Sequence, residues 1–348
     1  LGELGYRIGI TGKLHAGPEE VFPFEELDIL KNGTIDKEMF RNFAEREPNQ
    51  PFALIIASSN PHRPWNRGNS EKFDPNTLIL PPNLIDTHNF RKWYVRYLAE
   101  MEDLDRQVGQ SLKALESTGE ADNTMVIFTS EHGASFSGKW TNWNVGVQTA
   151  FVVRWPGVIA EGGRTDALIQ YADVVPTLVE AAGGIVDDSS FDGTSFLPVL
   201  KGETDEHRQY AYFMHNHVPE GPPYPSRSVT DGEYLYIRNL KSDNLFIEKH
   251  VFGSTREDDF LPFWFNKATT DVHAQELIFR WMQRPDEELY QMERDIYNFE
   301  NVAKNPRLSV IKQRLSNELD AWMESQNDPG EALDSWVVYK NNGGYVNE

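Results

Sequence analysis

Cysteine is absent from all 348 residues. This excludes disulfides, Cys-ligated zinc and a thiol nucleophile within the sequence. No apolar run approaches the ~18–20 residues that a membrane helix needs. Positive charge is scarce: 33 Lys and Arg stand against 54 Asp and Glu, a formal net charge of −21. Such a surface repels polyanions at long range, which argues against nucleic-acid binding and requires any anionic ligand to be drawn in by a local basic pocket. No signal peptide and no internal repeat is visible. The opening LGELGYRIGITGK reads as the middle of a fold, so the expectation is that the sequence begins downstream of the true start. What is present suits a globular protein: 39% apolar, 12% aromatic and 25% charged residues.

The patterning is that of an α/β chain. Residues 51–57 (PFALIIA), 124–130 (TMVIFTS) and 150–155 (AFVVRW) are short apolar runs suited to buried strands of a parallel sheet. Between the first two, apolar residues recur at 90, 93, 94, 97, 98, 101, 104, 108, 112 and 115, about seven turns of helix ending at Gly119. Residues 173–183 read as a second helix, with Asp173 as N-cap and Gly183 at its end. This alternation predicts a mostly parallel sheet flanked by helices over 1–204. From about 205 the texture changes: 209–214 and 233–238 resemble antiparallel strands, 215–226 is a Pro-rich loop, and 311–323 is an amphipathic helix. A smaller α+β subdomain over 205–348 is expected.

Three segments carry candidate chemistry. In Gly12-Lys13-Leu14-His15, an extended backbone would point Lys13 and His15 the same way, a cation and an imidazole suited to an anionic oxygen and proton transfer; a surface loop with incidental charges is the other reading. Asn60-Pro61-His62-Arg63-Pro64-Trp65 follows a strand directly, where open parallel sheets gather ligands, although a rigid turn with a solvated His62 would look the same. Ser130-Glu131-His132-Gly133 also follows a strand. Its carboxylate is a candidate ligand for a hard cation, which takes oxygen ligands, and Lys139 comes soon after in a Gly/Ser loop. Cations with one acid imply an anionic oxyester, phosphate or sulfate. His215 and His217 could contact substrate from the second subdomain, or sit in an ordered loop. Trp65, Trp140 and Trp143 flank candidates and either pack or stack on sugar rings.

GYRIGITGKLHAGP, PFALIIASSNPHRPW, YLAEMEDLDRQVGQSLKALESTGEADNTMVIFTSEHG, FVVRWPGV, YADVVPTLVEAAG, DGTSFLPVLKG and RPDEELYQMERDIYNFENVA resemble, in order, the formylglycine-dependent sulfatases of the alkaline phosphatase superfamily. The opening segment is most similar to the heparan N-sulfatase-like branch. The resemblance implies catalytic roles for Lys13, His15, His62 and Lys139. Of these, Lys13 would contact the nucleophile or sulfate, Lys139 would bind sulfate, His15 would help orient the nucleophile and His62 would protonate the leaving oxygen. Arg63, His215 and His217 are candidates for binding substrate. Glu131 and His132 fall at the metal positions, where the family usually has Asp first. The implied cofactors are Ca²⁺, with Mg²⁺ possible, and a formylglycine made from an upstream Cys or Ser, which this sequence does not contain. Ser59-Asn60-Pro61-His62-Arg63 fits Ser-x-Pro-x-Arg as a string but follows the wrong strand. The implied partners are a sulfated glycan and a formylglycine-generating or maturase enzyme, in the periplasm or outside the cell. A phosphate or phosphonate ester hydrolase, or an inactive glycan-binding homologue, are the alternatives.

Overall fold

The computed structural model describes residues 1–134, 136–187, 190–248 and 259–341. Strand β1 (Arg7–Gly12) lies at the centre of a three-stranded parallel sheet, with β2 (Glu25–Leu27) on one side. A small hairpin, β3 (Leu30–Lys31) and β4 (Thr34–Ile35), leads into helix α1 (Lys37–Glu45). Asp36 caps α1 by accepting from the Glu38 and Met39 amides at 3.0 and 3.1 Å. At its other end, where helical carbonyls lose their intrahelical donors, the buried Arg7 guanidinium donates to Phe43 and Ala44. Strand β5 (Phe52–Ala57) closes the sheet on the far side of β1, with Gly9 opposite Leu54 and Gly12 opposite Ala57. The 51–57 strand is thus where the sequence places it, but it is only part-buried and Ile55 is exposed.

Helix α2 (His88–Thr118) contains the predicted 90–115 span. Thr87 caps its start, and Gly119, at φ 78°, ends it. Strand β6 (Val126–Thr129) leads through a compact loop and the short α3 (Asn144–Val147) to β7 (Phe151–Arg154). Here the structure departs from the sequence reading. β6 and β7 pair antiparallel with each other, Phe128 opposite Val152, and Val152 is exposed. Parallel pairing among the described residues is confined to β1, β2 and β5. Short apolar runs report burial and strand propensity but carry no information about direction.

Helix α4 (Val174–Ala181) follows a turn of 3-10 helix at Tyr171–Asp173. Asp173 occupies the N-cap position of α4, as the sequence predicts, but its side chain makes no capping bond there. Its fully buried carboxylate accepts from the Gln170 and Thr194 amides and pairs with Arg208 and His207. It therefore closes the capping box of the 3-10 turn and also ties in two further chain segments. Beyond it, β8 (Ala211–His215), β9 (Ser226–Thr230), β10 (Tyr234–Asn239) and β11 (Glu287–Gln291) make an antiparallel sheet in the order β11-β10-β9-β8. The helix Ser309–Ser325 lays Leu315 and Leu319 against Val229, Tyr236 and Leu289 of this sheet. Strands β9 and β11 and the helices Leu261–Ala268 and Val272–Met282 were not assigned from the sequence.

The largest apolar cluster includes Trp65, Phe90 and Trp93 from the first half of the chain and Leu235, Phe260 and Trp264 from the second. The two halves therefore share one core. No helix among the described residues is long and apolar enough to cross a membrane.

Candidate active site

The site is built on the carboxyl ends of β1 and β6. At the end of β1, Gly12 adopts φ 93°, and a Cβ there would lie 2.2 Å from the Ala57 carbonyl oxygen. Only glycine fits, because the position combines a left-handed backbone with direct contact to a neighbouring strand. The chain then turns, Lys13 donates its amide to the same Ala57 oxygen at 2.8 Å, and the half-buried Lys13 side chain leaves the sheet edge. His15 stands exposed two residues further on, with no hydrogen bond or ion pair among the described residues.

After β6 the chain folds into a tight loop. Gly133 donates to the Gly146 carbonyl at 2.9 Å and Ala134 to that of Val145 at 2.6 Å, while Lys139 donates back to Ala134 at 2.9 Å. A Cβ on Gly133 would sit 2.3 Å from the Val145 oxygen, so the two limbs touch backbone to backbone. Two bulky residues of this loop, Phe136 and Trp140, hold φ values of 64° and 72°. Left-handed aromatic residues are rare. Each costs on the order of 1–3 kcal/mol and persists only where surrounding packing dictates it.

This loop returns Lys139 to His132. The half-buried His132 ring donates from Nδ1 to the Gly133 carbonyl at 2.8 Å in the tautomer that satisfies both atoms. Burial, and then the positive charges of Lys139 and Lys13, hold the imidazole below its ordinary pKa, against an opposing pull from Glu131. Lys13, Glu131 and Lys139 therefore each lie within electrostatic reach of His132, although Lys13 comes from a distant part of the sequence. The lowered pKa favours the neutral imidazole, and Glu131 beside it is exposed.

His62 leaves the same sheet from β5. Its exposed ring donates from Nδ1 to the Arg63 carbonyl at 2.7 Å, which leaves Nε2 facing solvent. The loop behind it is gripped by Glu100, a carboxylate only 1% exposed. Its two oxygens accept the amides of His62 (2.9 Å) and Arg67 (3.1 Å). Sequence reasoning missed Glu100. The available signal was an acid at position 100, on the helical stripe between Tyr97 and Leu104. No hydrogen bond or ion pair among the described residues joins His62 to Lys13, His132 or Lys139.

Arg63 is engaged elsewhere. Its guanidinium lies 5.0–5.9 Å from the ring centroids of Phe260, Trp65 and Trp93, and it pairs with the buried Asp259 at 3.5 Å. This places it in the shared aromatic core. His215 and His217 are not in a surface loop: His215 ends β8, and His217 has no exposed surface. Their rings bond to each other at 2.9 Å, and His217 Nε2 meets the Ile247 carbonyl. Burial first, and then neighbouring positive charge, lowers the His215 pKa to about 3. His217 cannot touch a ligand without the site opening. Trp65 and Trp143 are likewise buried, so neither presents a face to a sugar. Trp140 is half-buried, with Lys139 Nζ 4.8 Å from its ring centroid.

Glu131 and His132 alone do not fit a calcium ion. That cation takes six to eight oxygen ligands, and here one carboxylate is accompanied by one imidazole. No group of three or more His, Cys, Asp or Glu among the described residues could hold a metal.

Strands whose carboxyl ends carry the candidate side chains, parallel at β1 and β5 and antiparallel at β6, with helices around them and an antiparallel sheet beyond, make an α/β fold of the alkaline phosphatase-like class. A solved structure in complex with D-glucosamine-2-N,6-O-disulfate superposes with a TM-score of 0.68 at 16% identity, over 94% of this chain and 82% of that one. The chain belongs to the sulfatase family, whose model matches residues 6–185. Residues 131–246 also match the model of the C-terminal part of N-sulphoglucosamine sulphohydrolase. An ulvan-active sulfatase of Formosa agariphila is 30% identical over 339 residues, covering 94% of this chain and 64% of its own length. Human N-sulphoglucosamine sulphohydrolase is 26% identical over 380 residues, covering 94% and 73%. The chain thus spans about two thirds to three quarters of these relatives.

Proposed function

We propose that this chain supplies the sulfate-holding part of a sulfatase that hydrolyses sulfate esters of a carbohydrate. The proposal is supported by membership of the sulfatase family together with the electrostatic influence of Lys139 and Lys13 on His132. Two lysines acting on one imidazole would supply local positive charge in a molecule of net charge −21. The relatives' names, an ulvan-active sulfatase and an N-sulphoglucosamine sulphohydrolase, support a sulfated glycan as substrate.

The two lysines would hold the sulfate oxygens and stabilise the charge that builds on them as the S–O bond breaks. His132, with Nδ1 donating to Gly133, keeps Nε2 as an acceptor for a hydroxyl or water. Protonated His62, with Nδ1 tied to Arg63, would pass the proton on Nε2 to the leaving sugar oxygen. His15 would orient the nucleophile. On this reading a formylglycine and a Ca²⁺ or Mg²⁺ ion come with residues outside the present sequence. The formylglycine would derive from a Cys or Ser matured by a formylglycine-generating enzyme, in a protein exported to the periplasm or beyond. Glu131 and His132 would give that ion two ligands at most. Arg63, His215 and His217 would act on substrate only through the loops they support.

The test is Lys139→Ala in the longer protein that carries this chain, assayed on a sulfated oligosaccharide. Loss of one such donor is expected to cost about 2–4 kcal/mol of transition-state stabilisation, roughly 30- to 900-fold in kcat/KM. An unchanged kcat/KM removes Lys139 from the site.

A further inference from the structure

Lys139 sits on the loop between β6 and β7, yet that loop is anchored from the other half of the molecule. Four residues after Lys139, the Trp143 ring is 1% exposed. Its Nε1 donates to Glu288 of β11 at 2.9 Å. The Arg280 and Arg284 guanidiniums lie 3.9 and 4.4 Å from its ring centroid. The next residue, Asn144, donates its amide to Asn298 Oδ1 at 2.7 Å, and Arg280 donates to the Asn298 carbonyl at 2.5 Å. On the near side, Trp140 lies against His215 of β8, with centroids 6.3 Å apart. Trp140 also holds the left-handed backbone beside Lys139. Segment 139–144 is therefore pinned at both ends by residues of 215–298, while 133–134 bond to the backbone of Val145 and Gly146 in α3.

We infer that Trp143, held by Glu288 and the two arginines, is a positioning residue for Lys139. By this inference the antiparallel sheet sets the placement of the sulfate-binding ammonium. The inference rests on the proposed role of Lys139. It assigns to Trp143, Glu288 and Arg280 a function beyond core packing. Trp143 does not touch the ligand; it fixes the chain direction from which Lys139 projects. A shift of a few tenths of an ångström at Trp143 is passed to Lys139 because the intervening backbone is already held in a strained conformation with no slack.

The experiment is a double-mutant cycle on the full chain, with inorganic sulfate as the probe and its dissociation constant read by calorimetry. Lys139→Ala, Trp143→Phe and the double variant are compared with the unsubstituted chain. Phenylalanine keeps an aromatic ring near the two arginines but cannot donate to Glu288. The expected result is that Trp143→Phe weakens sulfate binding about 3- to 10-fold when Lys139 is present and has no effect in the Lys139→Ala background. Equal weakening in both backgrounds, or none in either, overturns the positioning role while leaving Lys139 in the site. Sulfate binding that is absent, or indifferent to Lys139→Ala, overturns the site reading itself and the inference with it. If Trp143→Phe melts below the assay temperature, Glu288→Gln keeps the indole and replaces its charged acceptor, which Asn239 and Tyr290 share, and it takes the same place in the cycle with the same outcomes.

Discussion

Replacing Glu100 with alanine removes one side chain and strands two backbone amides. In the native structure its carboxylate is buried on α2 and accepts from His62 and Arg67 at 2.9 and 3.1 Å. No basic side chain pairs with it among the described residues. The carboxylate is thus tolerated in the core because these amides solvate it in place of water. A hydrogen bond to a charged acceptor contributes about 1.5–3 kcal/mol, and a buried donor left without a partner costs about 1–3 kcal/mol. Both bonds are only part-buried, so water would recover some of the loss once the side chain is gone. The net expectation for Glu100→Ala is about 2–4 kcal/mol. At about 2 °C per kcal/mol for a chain of this size, the melting temperature should fall by roughly 4–8 °C. Glu100→Gln keeps one acceptor oxygen and turns an NH₂ toward the second amide, so about half that loss is expected. The assay is thermal unfolding by calorimetry, with the His62 ring followed by NMR as a local reporter. Equal stability of Glu100→Ala and the parent, with an unmoved His62 signal, would refute the claim that this carboxylate holds the His62 loop.

Other outcomes follow from the same geometry. Gly12→Ala forces a Cβ to within 2.2 Å of the Ala57 oxygen at φ 93°; a loss of about 1–3 kcal/mol in urea unfolding is expected, and a neutral result would show that the strand ends separate easily. His62→Ala should slow substrates with poor leaving groups most, because they need a proton in the transition state; equal losses on sugar and nitrophenyl sulfates would point to a positional role. Stability should also fall on acidification. His215 has its pKa lowered to about 3 in the folded chain, against ~6.5 when unfolded, so the unfolded state takes up the proton first. This contribution is complete above about pH 6.5 and is lost progressively as the pH falls toward 3, amounting to about 2 kcal/mol by pH 5. His217 and His132 shift in the same direction. Melting temperatures from pH 7.5 to 5 test this, and a slope unchanged in His215→Asn would contradict it.

How much of this molecule could be read from its sequence depends on the range of the interactions involved. Helix α2 was legible because its apolar spacing, Thr87 and Gly119 are all local signals. Strands β5, β6, β7, β8 and β10 were legible as short apolar runs. Strand direction was not, since β6 and β7 meet each other antiparallel through contacts that no run of residues encodes. Strands β9 and β11 were missed for a related reason: their polar residues, such as Arg227 and Glu288, are buried by partners distant in sequence, Asp328 and Trp143. Asp173 carried a valid capping signal that a tertiary network with Arg208 and His207 outbid.

For the candidate site, the sequence alone determined which residue types were available and that they lie at strand ends, turns or loops: Lys13, His62, Glu131, His132 and Lys139. It also determined that an anion must be met by a local cluster, because the summed charge is negative. Tertiary structure decided which of these residues share a neighbourhood. Lys13 and Lys139 both act on His132, while Arg63 is drawn into an aromatic core and His217 is sealed from solvent. The division has one physical cause. Propensity and patterning act over a few residues along the chain, whereas Coulomb and packing energies depend on distances in space, which exist only once the loops have closed.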